Sequence, residues 1–113
     1  MSISFKGFNE QVATFATATE LEAGTLVKMS ASATVEPCKG GELFIGAVVS
    51  SHGNYAAVQT SGYVSLPYSG SAPNLGITTL SAADSETVTS DANGRTVTVI
   101  ELDETNKTAG ILL

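Results

Sequence analysis

The residues with most capacity for chemistry in this chain are one cysteine and one histidine, Cys38 and His52. A thiol beside an imidazole forms a nucleophilic pair when the fold brings the two within hydrogen-bond distance. Cys38 stands in a Pro-Cys-Lys-Gly-Gly turn and His52 in a Ser-Ser-His-Gly-Asn turn, so each has an ordinary local role. A zinc site needs three or four Cys, His or carboxylate ligands, and the sequence therefore does not predict one here.

Three carboxylates, Glu101, Asp103 and Glu104, lie close together near the end of the chain. Paired carboxylates serve glycosidases, and such a cluster can bind calcium weakly. Their place at a strand end favours a solvated acidic turn instead, and their spacing matches no EF-hand loop. There is also no Gly-x-Ser-x-Gly elbow and no Gly-rich loop that opens a helix. We therefore predict a protein that is not an enzyme and that carries no metal or cofactor.

Composition indicates a single all-β domain. The 113 residues are 42% hydrophobic and only 14% charged, and Ser and Thr supply much of the remaining polarity. Ser and Thr favour strands and turns over helices, and 11 glycines suit a fold that turns often.

The charge balance predicts which classes of partner the chain does not bind. Five basic and 11 acidic residues give a net charge of -6, and the basic residues form no cluster in sequence. Phosphate binding depends on clustered Lys and Arg, so we expect neither nucleic acid nor an anionic membrane as a partner. One cysteine gives no internal disulfide, and no apolar run reaches the length of a spanning helix. We expect synthesis in the cytosol as a soluble product.

Residues 41–67 are predicted to form the central hairpin of the core. An apolar run from Leu43 to Val49 precedes a turn at residues 50–54, and period-two alternation follows. Within the second segment one set of side chains is expected to face inward, comprising Ala56, Val58, Thr60, Gly62, Val64 and Leu66. The other set is expected to face outward, comprising Tyr55, Gln59, Tyr63 and Ser65. Gly62 is expected to let this long strand bend, as strands do at barrel corners.

The rest of the chain predicts further short strands around this hairpin. They fall at residues 11–19 (with Ala13 and Phe15 facing the core), 25–29, 33–36, 77–80, 86–89, 95–102 and 108–113. Eight or nine short strands predict a compact barrel or sandwich over residues 11–113, preceded by an arm at residues 1–10. Residues 68–76 read as a surface loop that contacts a partner.

The order of motifs resembles a known family. Its pieces are Lys6-Gly7-Phe8-Asn9-Glu10, Gly41-Glu42-Leu43-Phe44-Ile45-Gly46, Gly53-Asn54-Tyr55-Ala56-Ala57-Val58-Gln59, Gly62-Tyr63-Val64-Ser65-Leu66-Pro67-Tyr68-Ser69-Gly70 and Thr108-Ala109-Gly110-Ile111-Leu112-Leu113. Over nearly its full length the chain looks like small head-gene proteins of tailed bacteriophages of Gram-positive gut bacteria. More loosely, it is similar to phage capsid decoration (cement) proteins, a resemblance that implies a small β-barrel or a β-tulip-like sandwich.

The resemblance implies a structural virion protein on the outer surface of the phage head. Such proteins commonly bind as homotrimers and brace adjoining subunits of the major capsid protein. It further implies that the arm engages the capsid through Ile3, Phe5 and Phe8. In the loop, Tyr68, Pro73 and Leu75 are the candidate contacts. The alternatives are a tail-tube, connector or baseplate component, or a virion-borne module that binds a glycan or receptor through Tyr55, Tyr63 and the loop.

Overall fold

The computed structural model describes residues 10–113, and these form ten strands. In chain order they are β1 (Gln11–Thr17), β2 (Leu26–Ala31), β3 (Thr34–Pro37), β4 (Gly46–His52), β5 (Tyr55–Ser61), β6 (Tyr63–Pro67), β7 (Gly76–Ala82), β8 (Val88–Ser90), β9 (Arg95–Asp103) and β10 (Thr108–Leu112). The all-β class is confirmed. The strand count exceeds the eight or nine predicted, because the long strand expected at residues 55–67 is two strands.

The first five strands form a closed barrel in the order β1-β3-β2-β4-β5. Its interior is filled by Val27, Val35, Val48, Ala56 and Val58, all at most 3% exposed. β1 pairs antiparallel with β5 along its whole length, but it meets β3 in parallel only at Ala16 and Thr17. The barrel is therefore closed along a contact of two residues, and within residues 10–113 no strand lies beside the rest of β1 on that side.

The last five strands form a second sheet in the order β6-β10-β9-β7-β8. This sheet curls until Tyr68, just after β6, forms a parallel bridge with Val88 on β8. The larger of two hydrophobic clusters lies against it, and both halves of the chain contribute. The first half supplies Leu26, Cys38, Phe44 and Ala47, and the second supplies Leu66, Tyr68, Leu80, Ala82, Val88, Val97, Val99, Ala109 and Ile111. This shared core fixes the second sheet against the barrel.

Gly62 is the joint where the chain leaves the barrel for the second sheet. Its φ is +91°, in the left-handed region that side chains disfavour, and β5 ends one residue before it. The expected bend is present. Gln59 was predicted to face solvent, and this prediction is wrong. The residue is only 6% exposed, and its side-chain amide donates hydrogen bonds across the joint. The alternation of polar and apolar residues predicted the wrong side for Gln59, because backbone carbonyls at the joint accept hydrogen bonds from a polar side chain inside the protein.

The apolar run before β4 is also only partly strand. β4 begins at Gly46, and Phe44 enters the large core from the preceding segment at 1% exposure. A Cβ on Gly46 would lie 2.0 Å from the carbonyl oxygen of Gln59, so the two chains can approach this closely only at a glycine. Ala13 was predicted to face the core, yet it is exposed, because nothing within residues 10–113 covers the first half of β1.

Candidate functional surfaces

The three arm residues predicted to contact the capsid, Ile3, Phe5 and Phe8, lie outside the described residues. The structure does describe where the arm joins the domain. Gln11 pairs with Ser61, the last residue of β5, one residue before the Gly62 joint. The arm therefore starts where the barrel and the second sheet meet.

The predicted contact loop is corrected at two of its three residues. Tyr68 is 5% exposed and belongs to the large core, and Pro73 is also buried. Tyr68 is held there because its N–H donates to the Lys107 carbonyl at 3.0 Å while it bridges to β8. Neither residue is available to a partner. Leu75 is 63% exposed and remains a predicted contact, beside Ile77 at 81% exposure.

Cys38 and His52 occupy unrelated environments. Cys38 is in the large core, where burial raises the pKa of its thiol to about 11. His52 is exposed at the end of β4, opposite Tyr55 in the hairpin. Among the residues described, no hydrogen bond joins the two. A protonated, buried thiol is a poor nucleophile at neutral pH, and this arrangement does not build a catalytic pair.

The acidic cluster forms a turn, as its position in the sequence predicted. Asp103 Oδ1 accepts the N–H groups of Thr105 and Asn106, each at 3.1 Å, and Oδ2 accepts the Asn106 side-chain amide at 2.8 Å. These bonds hold the pKa of the Asp103 carboxyl below its usual value, the Asn106 backbone N–H having the largest effect. Within residues 10–113, no group of three or more His, Cys, Asp or Glu could hold a metal ion.

An ion-pair cluster on the barrel escaped the sequence analysis. Lys28 Nζ lies 3.4 Å from Glu36 Oε1 and also donates to Glu42, whose Oε1 accepts the Lys39 N–H at 2.6 Å. The hydrogen bond from Lys28 lowers the pKa of Glu42. Lys28 and Glu36 lie opposite each other in the β2–β3 hairpin, and Glu42 joins them from the loop that follows β3. They fasten the segment before β4 to β2.

A shallow depression of about 240 Å³ lies on the outer face of the second sheet. It is lined by Ser65, Glu101, Leu102, Asp103, Thr108 and Gly110. At its side the Tyr63 hydroxyl donates a hydrogen bond to Glu101. Burial, followed by this carboxylate, raises the pKa of Tyr63 to about 12. Hydroxyls and carboxylates thus line a surface site on the strands β6, β9 and β10.

The outer face of the barrel over β1, β5 and β4 carries no charged side chain. Tyr55 stands between Ala16 and His52, and in the next row Ala57 stands between Thr14 and Ser50. Val12 extends this face at 49% exposure, and Tyr55 is 63% exposed. We call these seven residues (Val12, Thr14, Ala16, Ser50, His52, Tyr55 and Ala57) the uncharged face. On a chain of net charge -6 these strands present no carboxylate of their own to an approaching protein, and Glu20, which accepts the Gly53 N–H at the hairpin tip, lies at the border of the face.

No family model matches the chain, and no curated protein matches it. In the part of the chain that the structure describes, no helix is long and apolar enough to cross a membrane. Functional inference therefore rests on the sequence motifs and on three described features: the uncharged face, the exposed Leu75 and Ile77, and the depression beside Tyr63.

Proposed function

We propose that this chain is a structural protein of a tailed-phage particle that binds the outer surface of the head and braces the major capsid protein. The specific assignment comes from the resemblance of its motifs to phage head-gene and decoration proteins. The observation that carries a binding role is the uncharged face, a surface suited to protein contact on an otherwise acidic molecule. The proposed complex is a homotrimer at local three-fold positions.

The surface chemistry supports protein contact over contact with DNA. The uncharged face presents a tyrosine and small residues, and exposed aromatic side chains are enriched where proteins meet. Leu75 and Ile77 add a second exposed apolar pair, close together in sequence at the start of β7. The acidic balance of the chain disfavours contact with packaged DNA and suits the outside of a shell.

The arm is proposed to make the main capsid contact through Ile3, Phe5 and Phe8. The test is co-sedimentation with purified heads that lack this protein. Ile3→Ser, Phe5→Ser and Phe8→Ser together should abolish binding, whereas Ser2→Ala with Ser4→Ala in the same arm should retain it. Unchanged binding by the triple variant, or by a chain lacking residues 1–8, would refute this role of the arm.

The loop contact is tested separately at Leu75. Leu75→Ser should weaken binding to heads because it removes a 63% exposed apolar side chain from the contact. Asn74→Ser, at the exposed neighbouring residue, is the matched control and should bind as the parent does. Equal binding by both variants would remove the loop from the proposed interface.

A tail-tube, connector or baseplate role is the closest alternative, and it predicts a different distribution in the virion. Such a component forms rings at one site or stacks along the tail, and it would not bind isolated heads over their whole surface. Saturation of purified heads at many copies per particle therefore separates the two structural roles.

The depression beside Tyr63 favours one second candidate, a site for a glycan. Its lining of Ser65, Thr108 and Glu101 offers donors and acceptors to sugar hydroxyls, next to an aromatic ring. A glycan array is the test. Binding that is lost in Glu101→Gln would support this candidate, and an array without hits would remove it.

A further inference from the structure

β1 has an open edge in its first half. It pairs with β5 from residue 11 to residue 16, but β3 lies beside it only at Ala16 and Thr17. Within residues 10–113, no strand lies beside residues 11–15 on the side away from β5. Unpaired edges of this kind are where sheets accept a strand from another chain.

The hydrogen bonds at the end of β1 show which backbone groups face that edge. The Thr17 N–H donates to the Asn54 carbonyl on the β5 side, and the Ala16 N–H donates to the Ala33 carbonyl on the β3 side, both at 2.8 Å. Successive residues of a strand direct their backbone groups to opposite sides. Val12 and Thr14 therefore direct theirs to the open edge, while Ala13 and Phe15 direct theirs to β5.

The two outer edges of the second sheet are protected, whereas no strand within residues 10–113 covers this edge of β1. On β6, the Tyr68 N–H donates toward β10, so Pro67 is turned outward, where it has no N–H to offer. The far end of that sheet is joined to β6 by the bridge between Tyr68 and Val88. Residues 11–15, Gln-Val-Ala-Thr-Phe, hold no charged residue and no proline, two of the devices that block an edge strand, and their pairing with β5 is irregular only between Gln11 and Val12.

We propose that β1 pairs antiparallel with β1 of a second copy of this chain, across a two-fold axis at Ala13. In this register Val12 faces Thr14 of the second copy, and Thr14 faces its Val12. Both pairs are hydrogen-bonded pairs, giving four inter-chain bonds. Ala13 faces Ala13 of the second copy in the closer, non-bonded pair, where a methyl group fits. The open stretch of residues 11–15 is itself centred on Ala13, so the overlap uses all of it.

The open stretch favours a second copy as the occupant, because residues 11–15 are self-complementary about Ala13 and hold no charged side chain. Two chains of net charge -6 repel overall, and a contact at this stretch adds no pair of like charges to that repulsion. The uncharged face borders this edge, so pairing would make one continuous uncharged sheet, β4-β5-β1-β1-β5-β4. The contact is short, and association should be weak and concentration-dependent. This inference goes beyond the proposed function and does not rest on it, because it concerns the protein without heads.

Amide hydrogen exchange tests the pairing residue by residue. Between about 10 μM and 1 mM chain, exchange at Val12 and Thr14 should slow several-fold as a dimer forms. Ala13 and Phe15, already bonded to β5, should be protected at every concentration and are the internal control. Fast exchange at Val12 and Thr14 at all concentrations would overturn the proposal.

Sedimentation of variants, which reports the fraction of dimer, tests the proposed two-fold axis at Ala13. Ala13→Lys should abolish the dimer because two ammonium groups would meet at the two-fold axis, while Thr96→Lys, the same charge change at an exposed site on β9, should retain it. Thr14→Pro removes one outward N–H from each chain and should also abolish the dimer, while circular dichroism should show that the fold is retained.

Deleting residues 1–9 should leave the dimer in place. A dimer that survives Ala13→Lys, or that is lost with residues 1–9, would overturn the proposal.

Discussion

The Gln59 side chain spans the joint at Gly62, donating from Nε2 to the Tyr63 carbonyl at 2.7 Å and to the Ser61 carbonyl at 3.2 Å. One buried amide therefore satisfies two backbone acceptors where β5 stops and β6 starts. This contact ties the barrel to the second sheet and sets the direction in which the chain leaves the barrel.

Replacing Gln59 with leucine should destabilise the domain by about 1–3 kcal/mol, because the buried amide's hydrogen bonds to the Ser61 and Tyr63 carbonyls are lost. The measurement is urea unfolding at low chain concentration. Gln11→Leu, at an exposed position on β1, should change the free energy of unfolding by less than about 0.5 kcal/mol. Equal effects of the two substitutions would show that the Gln59 bonds do not stabilise the joint.

Gly46→Ala should cost about 3 kcal/mol or more, since the new Cβ would lie 2.0 Å from the Gln59 carbonyl and force β4 and β5 apart. Gly24→Ala is the comparison, because Gly24 has a φ of +91° but open space around its Cβ position. It should cost only about 1 kcal/mol of backbone strain. Thermal unfolding that ranks Gly24→Ala as the more harmful change would contradict the close approach at Gly46.

Cys38 should resist alkylation in the folded protein at pH 8 and react at once in guanidinium chloride. The pKa of its thiol rises from 9.0 to about 11 on folding, so at a given pH the reactive thiolate is scarcer in the native state than in the unfolded chain. The same shift makes stability pH-dependent. The protonated thiol makes its full contribution to the free energy of unfolding below about pH 9. This contribution is lost as the pH rises toward 11, because the thiol of the unfolded chain loses its proton at lower pH than the thiol of the native state. Rapid labelling of folded protein at pH 8 would contradict the burial of Cys38.

Asp103→Ala should lower the melting temperature, because the turn between β9 and β10 loses its bonds to Thr105 and Asn106. Glu104→Ala removes the same charge from the same turn and should leave the melting temperature nearly unchanged. The pKa of Asp103 is lowered on folding, so its contribution is present above the ordinary pKa of a carboxyl and is lost as the pH falls through the folded value. At a pH low enough to protonate Asp103, parent and Asp103→Ala should therefore melt at closer temperatures.

Local sequence patterns predicted the elements better than the way they join. Alternation and turn residues predicted the hairpin of β4 and β5 and the acidic turn at Asp103. The same alternation placed Gln59 outside, because it carries no information about a strand that changes sheets at Gly62. A loop-like composition made Tyr68 look accessible, whereas its ring fills the core that the curled sheet encloses.

Surface features that depend on distant pairing could not be predicted. The contacts of Lys28 with Glu42 and of Tyr63 with Glu101, and the short pairing of β1 with β3, all involve residues outside a single hairpin. Their geometry depends on how the strands are aligned with one another. A hydrophobic pattern determines this alignment only within one hairpin.

Cryo-electron microscopy of the virion tests the central claim, attachment to the head, most directly. The account predicts density the size of this domain at regularly repeated positions over the outside of the shell, absent from particles made without this gene. Density confined to the tail, neck or baseplate, or a shell identical with and without the gene, would contradict it.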